Sequence, residues 1–78
     1  MNDTPAKTLD AKGLKCPLPV LKARRAMKEL AAGDILEILA TDPGAVQDFV
    51  EFCKTTGDAL LESRQDGDTY IFHIRKGG

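Results

Sequence analysis

The sequence predicts an α/β fold: a two-layer α/β sandwich with the element order βαβαββ, in which two helices cover one face of a four-stranded mixed sheet. Apolar residues recur at the spacing of an amphipathic helix in two stretches, and a strand-like run precedes each of them. Two further strand-like runs flank Asp66-Gly67-Asp68, and Asp-Gly between such runs is a strong hairpin signal. A chain of 78 residues supports a single core. We therefore expect one domain over residues 1–78, with residues 1–6 as a flexible N-terminal tail.

The first strand and the first helix are predicted over residues 7–10 and 17–31. Pro17 and Pro19 both suit a first helical turn, because the backbone N–H groups there have no intrahelical acceptor to lose. Gly33 ends the helix. Its predicted apolar arc consists of Val20, Ala23, Ala26, Met27, Leu30 and Ala31.

The second strand, residues 34–40, is apolar on both alternations, so we place it inside the sheet. The second helix is predicted over residues 43–56. Asp42 is expected to cap its free N–H groups, and Pro43 suits the first helical position. The apolar stripe of this helix, at i, i+3, i+4 and i+7, consists of Val46, Phe49, Val50 and Cys53. A thiol on such a stripe is expected to be buried and inert.

The two C-terminal strands are predicted over residues 59–65 and 69–75 and should pair antiparallel. Alternate residues of a strand point to opposite faces of the sheet. We therefore expect His73 on the outer surface of the sheet, rather than as a base beside Cys16. The residues that share the inner face of the last strand are Tyr70, Phe72 and Ile74.

A cysteine lies between a glycine turn and the first helical turn, in the segment Gly13-Leu14-Lys15-Cys16-Pro17-Leu18-Pro19. We predict Cys16 at the N-cap of the first helix or next to it. Its thiolate is favoured over its thiol by the positive end of the helix dipole and the free N–H donors there. The nearby positive charges of Lys12 and Lys15 act in the same direction. A cysteine that only packs needs neither proline. The segment thus predicts a nucleophilic sulfur, with its glycine and two prolines shaping the helix start so that the sulfur faces outward.

Residues 9–19 resemble the "LDxxGLxCPxP" signature of the TusA-like (SirA-like) sulfur carrier proteins. The likeness continues through residues 40–43 and into residues 74–78, so it covers nearly the whole chain. It implies the same two-layer sandwich and a Cys16 that accepts sulfur as a persulfide and hands it on. Asp10 and Asp42 also match the family pattern, and we interpret them as closing a turn and capping a helix.

The resemblance implies a cysteine desulfurase or a rhodanese-like protein as sulfur donor. It implies a further carrier or a tRNA-thiolating system as acceptor, leading to 2-thiouridine at the wobble base. Related members serve sulfur oxidation or molybdenum-cofactor assembly instead, and both alternatives remain open. Such a relay needs neither a cofactor nor a pocket for a small substrate. Complementary charge speeds transient association, which makes a basic surface the candidate docking site. This basic surface consists of Lys15, Lys22, Arg24, Arg25 and Lys28.

Composition excludes several other functions. Lys and Arg number 11 against 12 Asp and Glu, whereas a dedicated nucleic-acid binder needs a basic excess. Two cysteines and one histidine provide neither a zinc site nor a Cys-x-x-Cys pair. The sequence has no signal-peptide pattern and no long apolar stretch. We therefore expect a cytoplasmic protein without a metal that contacts no membrane and does not bind nucleic acid directly and stably. An exposed thiol that serves protein partners also predicts a monomer at rest.

Two alternatives of a different class remain. Gly77-Gly78 resembles the Gly-Gly ending of ubiquitin-like sulfur carriers, which form a C-terminal thiocarboxylate. A short Gly-Gly tail after a final strand is more often a frayed end. A non-catalytic regulatory or interaction module would instead keep Cys16 packed and bind a partner through its sheet. Neither alternative explains the two prolines beside the cysteine.

Overall fold

The computed structural model describes residues 4–77, and it has the predicted two-layer α/β sandwich with the order βαβαββ. Strand β2 pairs parallel with β1 and antiparallel with β4, and the sheet order is β1-β2-β4-β3. The elements are β1 (Lys7–Ala11), α1 (Leu18–Met27), β2 (Ile35–Ala40), α2 (Gly44–Thr56), β3 (Ala59–Asp66) and β4 (Thr69–Arg75).

The central position of β2 confirms the prediction from its sequence. Leu36, Ile38 and Ala40 of β2 are fully buried on the face that the helices cover, and Ile35 is also buried on the opposite face. Because β1 and β2 are parallel neighbours, their carboxyl ends lie at the same edge of the sheet. The loop that leads to Cys16 and the loop that begins α2 therefore meet at this edge.

The core lies between the sheet and the helices. Phe49 of α2 is fully buried and its ring centroid lies 4.7 Å from that of Phe72 on β4. Burying an aromatic side chain of this size contributes about 2 to 3 kcal/mol of folding free energy, so this contact is a main attachment of α2 to the sheet. No helix within residues 4–77 is long and apolar enough to cross a membrane.

The first helix is shorter than the sequence predicted. It ends at Met27 instead of residue 31, Lys28 is its C-cap, and Ala31 is exposed. Beyond Met27 the backbone tightens, and the Leu30 N–H donates to the Met27 oxygen at 3.1 Å. The Ala31 N–H, which would donate to that oxygen in a longer helix, donates to the Asp34 carboxylate at 2.9 Å instead. A local side-chain bond thus replaces the last helical turn.

Both chain ends are partly anchored to the domain. The predicted N-terminal tail covers residues 1–6. Residues 1–3 lie outside the described residues, and the Ala6 N–H donates to the Ile35 oxygen at 2.7 Å. At the other end, the Gly77 N–H donates to Asp58 Oδ1 at 2.8 Å. The sequence suggested a frayed end, but Gly77 is held by this hydrogen bond. Gly78 lies outside the described residues.

Candidate functional site

The loop between β1 and α1 is held by hydrogen bonds to its backbone. Asp10 Oδ1 accepts the Lys12 N–H at 3.0 Å, which confirms the predicted turn closure. The next residue, Gly13, has a φ of +83°, a conformation that strains other residues. Its N–H donates to Thr41 Oγ1 at 2.9 Å. Thr41 follows β2, so the turn is tied to the neighbouring loop.

A second bond between the two loops reaches Cys16 itself. The Cys16 N–H donates to Asp42 Oδ2 at 2.9 Å. The prediction that the Asp42 carboxylate caps α2 is wrong, because α2 has no side-chain cap and the carboxylate binds Cys16 instead. At the helix start Asp42 bonds through its main-chain oxygen, which accepts the Ala45 N–H at 3.0 Å. Asp42 thus positions the cysteine backbone.

The Cys16 side chain is exposed and lies against the beginning of α2. Its thiol donates a hydrogen bond to Asp48 Oδ2. The absence of a side chain at Gly44 permits this approach. A Cβ there would lie 3.4 Å from Cys16 Cβ and 3.1 Å from Asp42 Oδ2. The sulfur is therefore accessible from outside while it contacts α2 from one side.

The electrostatic surroundings of the sulfur differ from those predicted. Cys16 directly precedes the N-cap Pro17 of α1, as expected, and this position favoured a thiolate. In the structure the hydrogen bond to Asp48 raises the pKa of the Cys16 thiol, and desolvation and the negative charges of Asp48 and Asp42 raise it further. The two carboxylates thus favour the neutral thiol over the thiolate, which is opposite to the direction that the helix start and the lysines predicted.

The two prolines of the motif have different environments. Pro17 is exposed beside Cys16, whereas Pro19, in the first turn of α1, is among the fully buried side chains of the core. Pro19 therefore anchors the start of α1 to the domain, and only Pro17 shares the exposed surface with the thiol.

All five side chains of the basic surface are exposed, although Lys28 lies just after α1 rather than within it. Leu18 and Leu21 lie among them on the same side of the helix and are 46% and 51% exposed. Sequence reasoning missed both leucines. The signal was available, because a leucine on the polar side of an amphipathic helix contradicts the periodicity that defines that helix.

An open cleft of about 240 Å³ separates α1 from α2 beside the cysteine. Pro17, Val20 and Arg24 line it from the α1 side, and Asp48 and Phe52 are among its residues from α2. Sequence reasoning also missed Asp48. No local pattern could have identified it, because its relation to Cys16 exists only once the two helices pack on one sheet.

Cys53 and His73 lie where the sequence predicted. Cys53 is 8% exposed, and burial, with the charge of Asp58, raises its thiol pKa to about 11, which makes it an inert packing group. His73 lies on the outer face of the sheet with its Nε2 2.8 Å from Glu37 Oε2. Within residues 4–77, no group of three or more His, Cys, Asp or Glu side chains is arranged to hold a metal ion.

The chain is similar to known proteins over nearly its whole length. The model of the family described as sulfurtransferase TusA matches residues 7–76. The chain belongs to this family. The match includes every element of the fold and the whole loop that carries Cys16.

Individual relatives of this TusA-family chain are similar over most of their length. It is 47% identical over 68 residues to the sulfur carrier protein TusA of Allochromatium vinosum, and the aligned stretch covers 87% of this chain and 90% of that protein. It is 49% identical over 71 residues to the putative sulfur carrier protein YrkI of Bacillus subtilis, covering 91% and 95%. The crystal structure of a SirA-like protein from Desulfitobacterium hafniense superimposes with a TM-score of 0.80 at 28% identity, covering 92% of this chain and 99% of that one.

Proposed function

We propose that this protein is a sulfur carrier that accepts sulfur as a persulfide on Cys16 and passes it to an acceptor protein. The observation that carries the proposal is the exposed thiol of Cys16 on a backbone fixed by Asp42. An exposed thiol that meets a partner protein suits transfer between two proteins better than turnover of a small substrate. The names of the relatives support the same function.

Loading is a thiol exchange that balances without an oxidant. The Cys16 sulfur loses its proton and attacks the outer sulfur of a persulfide on the donor. A new S–S bond forms at Cys16, the donor's S–S bond breaks, and the donor cysteine leaves as a thiolate that takes up a proton. Delivery repeats the exchange, with an acceptor thiol attacking the outer sulfur on Cys16.

The donor in this proposal is a cysteine desulfurase or a rhodanese-like protein, and the acceptor is the next protein of a sulfur relay. Thiolation of the tRNA wobble uridine is the pathway that we propose first, with sulfur oxidation and molybdenum-cofactor assembly as alternatives. The basic surface on α1, together with the exposed Leu18 and Leu21, is the proposed docking site. Apolar side chains ringed by charge suit short-lived protein contacts.

The thiocarboxylate alternative receives less support. It requires a free C-terminal tail that enters the active site of an activating enzyme, whereas Gly77 is half-buried and bonded to Asp58. An interaction module without chemistry would leave the exposure of Cys16 and the two loop-to-loop hydrogen bonds around it without a purpose.

Intact mass spectrometry tests the proposal directly. The protein is incubated with a cysteine desulfurase, pyridoxal phosphate and free cysteine, and wild type is compared with Cys16→Ser and Cys53→Ser. We expect one added sulfur on wild type and on Cys53→Ser, and none on Cys16→Ser. If Cys16 stays unmodified with both a desulfurase and a rhodanese-like donor, the carrier function is wrong and the interaction module becomes the better hypothesis.

A further inference from the structure

Asp48 is the side chain that contacts the sulfur of Cys16, and the carrier function alone does not explain it. Its Oδ2 accepts the thiol proton in a hydrogen bond from α2, a separate element of the fold. An exposed thiol needs no partner to satisfy it, because water serves as well. A specific carboxylate in this place therefore indicates control of the sulfur.

The charged groups around the thiol come from every element that meets there. Asp48 approaches from α2 and Asp42 from the loop before it, and both act on the thiol as negative charges. Lys12 and Lys15 belong to the cysteine's own loop and are exposed. Arg24 approaches from α1, where it lines the cleft together with Asp48. The charges that raise the pKa of the Cys16 thiol are those of the two carboxylates.

Resting on the sulfur-carrier function, we propose that Asp48 is a positioning residue that keeps the unloaded Cys16 protonated and oriented toward the α1–α2 cleft until a docked sulfur donor displaces the carboxylate. The thiolate is the nucleophile in sulfur exchange, so a thiol bonded to Asp48 is protected from stray oxidants and disulfides. When the donor breaks this bond, the Cys16 proton leaves and the donor's departing thiolate takes one up, which keeps the exchange balanced.

The test is the pH dependence of Cys16 alkylation by iodoacetamide, a neutral reagent, in wild type and Asp48→Asn. Without the negative charge, more thiolate forms at neutral pH. A thiolate of lower pKa is also intrinsically less nucleophilic, so each tenfold rise in its fraction should speed alkylation by only about three- to fourfold. At alkaline pH, where both proteins are fully ionised, the variant should be the slower one. The two profiles should therefore cross.

If the two pH profiles cross, Asp48 controls the proton on Cys16. If Asp48→Asn only changed the exposure of Cys16, the alkylation rate would change by the same factor at every pH and the profiles would not cross. Glu51→Gln is the matched control, because Glu51 lines the same cleft from α2 and its carboxylate does not bond the sulfur. Its profile should follow wild type. Asp48→Glu keeps a carboxylate and should move the profile back toward wild type. Asp48→Ala provides a second test should the Asn variant fail to fold, and peptide mass spectrometry assigns each adduct to Cys16.

Coincident profiles for wild type and Asp48→Asn would overturn the role of Asp48. Equal shifts in Asp48→Asn and Glu51→Gln would overturn it as well, because any nearby charge would then suffice. Alkylation needs no sulfur donor, so this result is independent of the persulfide experiment. A crossing profile on a protein that never accepts sulfur would reject the carrier function while leaving proton control by Asp48 in place.

Discussion

The carboxylate of Asp42 connects two loops that are far apart in the chain. It accepts the N–H of Cys16 across 26 residues of sequence, at a distance of 2.9 Å. A carboxylate that accepts a backbone N–H makes a charge-assisted bond, which is stronger than one between neutral groups. The position of the Cys16 backbone therefore depends on a side chain that the sequence pattern assigned to helix capping.

Replacing Asp42 with Ala should release the cysteine loop. We expect the amide hydrogen of Cys16 to exchange at least about tenfold faster, and the free energy of unfolding to fall by about 1 to 2 kcal/mol, because one charge-assisted bond is lost. Hydrogen exchange followed by NMR measures the first effect. Asp42→Asn keeps an acceptor oxygen and should retain most of the protection. Equal exchange in Asp42→Ala and wild type would show that the bond does not hold the loop.

Helix α1 contributes to both the core and the exposed surface. Ala23 and Ala26 pack against the sheet, while Leu18 and Leu21 face outward beside the cysteine. Leaving a leucine half exposed gives up about 1 kcal/mol or more of the stabilisation that burial would provide. Exposed leucines within a charged region are typical of a surface that is buried when a partner docks. This side of α1 is therefore where contact with a partner should be tested.

Leu21→Ala should slow sulfur loading from a protein donor while the protein stays folded. Leu21 is 51% exposed, so we expect the free energy of unfolding to fall by no more than about 1 kcal/mol. The rate of loading at low donor concentration should fall about fivefold or more, because a central apolar contact is lost. Mass spectrometry at timed intervals measures the rate.

Leu61→Ala is the control for that experiment, since Leu61 is 42% exposed on β3, in another part of the surface. It should load at the wild-type rate. Equal slowing in Leu21→Ala and Leu61→Ala would mean that general surface change, rather than the α1 surface, limits transfer.

The whole domain buries one face of its sheet and leaves the other to a polar network. On that outer face Glu37 of β2 joins His73 of β4 and Thr8 of β1, whose hydroxyl donates to Glu37 Oε1 at 3.1 Å. The hydrogen bond from His73 lowers the pKa of the Glu37 carboxyl, and Thr8 lowers it further, while desolvation acts in the opposite direction. Three strands are thus connected across the face that has no helices.

This network should make folding stability depend on acid pH. Because the pKa of Glu37 is lower in the folded state, its contribution is fully present above the unfolded-state value of about 4.3 and is lost as the pH falls through the folded value. The free energy of unfolding of wild type should therefore exceed that of Glu37→Gln by about 1 kcal/mol at pH 6, and this difference should shrink toward pH 3. Urea unfolding at each pH measures it.

Glu51→Gln serves as the control for net charge, because Glu51 lies on α2, on the other side of the sheet from His73, where its carboxylate accepts a hydrogen bond from Gln47. The difference in the free energy of unfolding between wild type and this control should not shrink as the pH falls from 6 to 3. A gap between wild type and Glu37→Gln that stays constant from pH 6 to pH 3 would mean that the Glu37 carboxyl is not stabilised by folding.

Local rules were sufficient for most of the fold. The hairpin at Gly67, the central β2, the buried Cys53 and the outward His73 all follow from turn chemistry and periodicity, which depend on neighbours in sequence. The same rules placed the cysteine at the start of α1. Periodicity alone failed at the end of α1, because it does not report that the Asp34 carboxylate accepts the Ala31 N–H and takes it from the helix.

The sequence by itself determined the element order, the inner and outer faces of the helices and strands, and the residue that carries the exposed thiol. Only the tertiary structure decided which charged groups surround that thiol. Asp42 and Asp48 lie 26 and 32 residues from Cys16 in the chain, and the parallel pairing of β1 with β2 brings their loops together. The protonation of a sulfur depends on charges within a few ångströms, and no short-range pattern in a sequence reports which distant carboxylates those are.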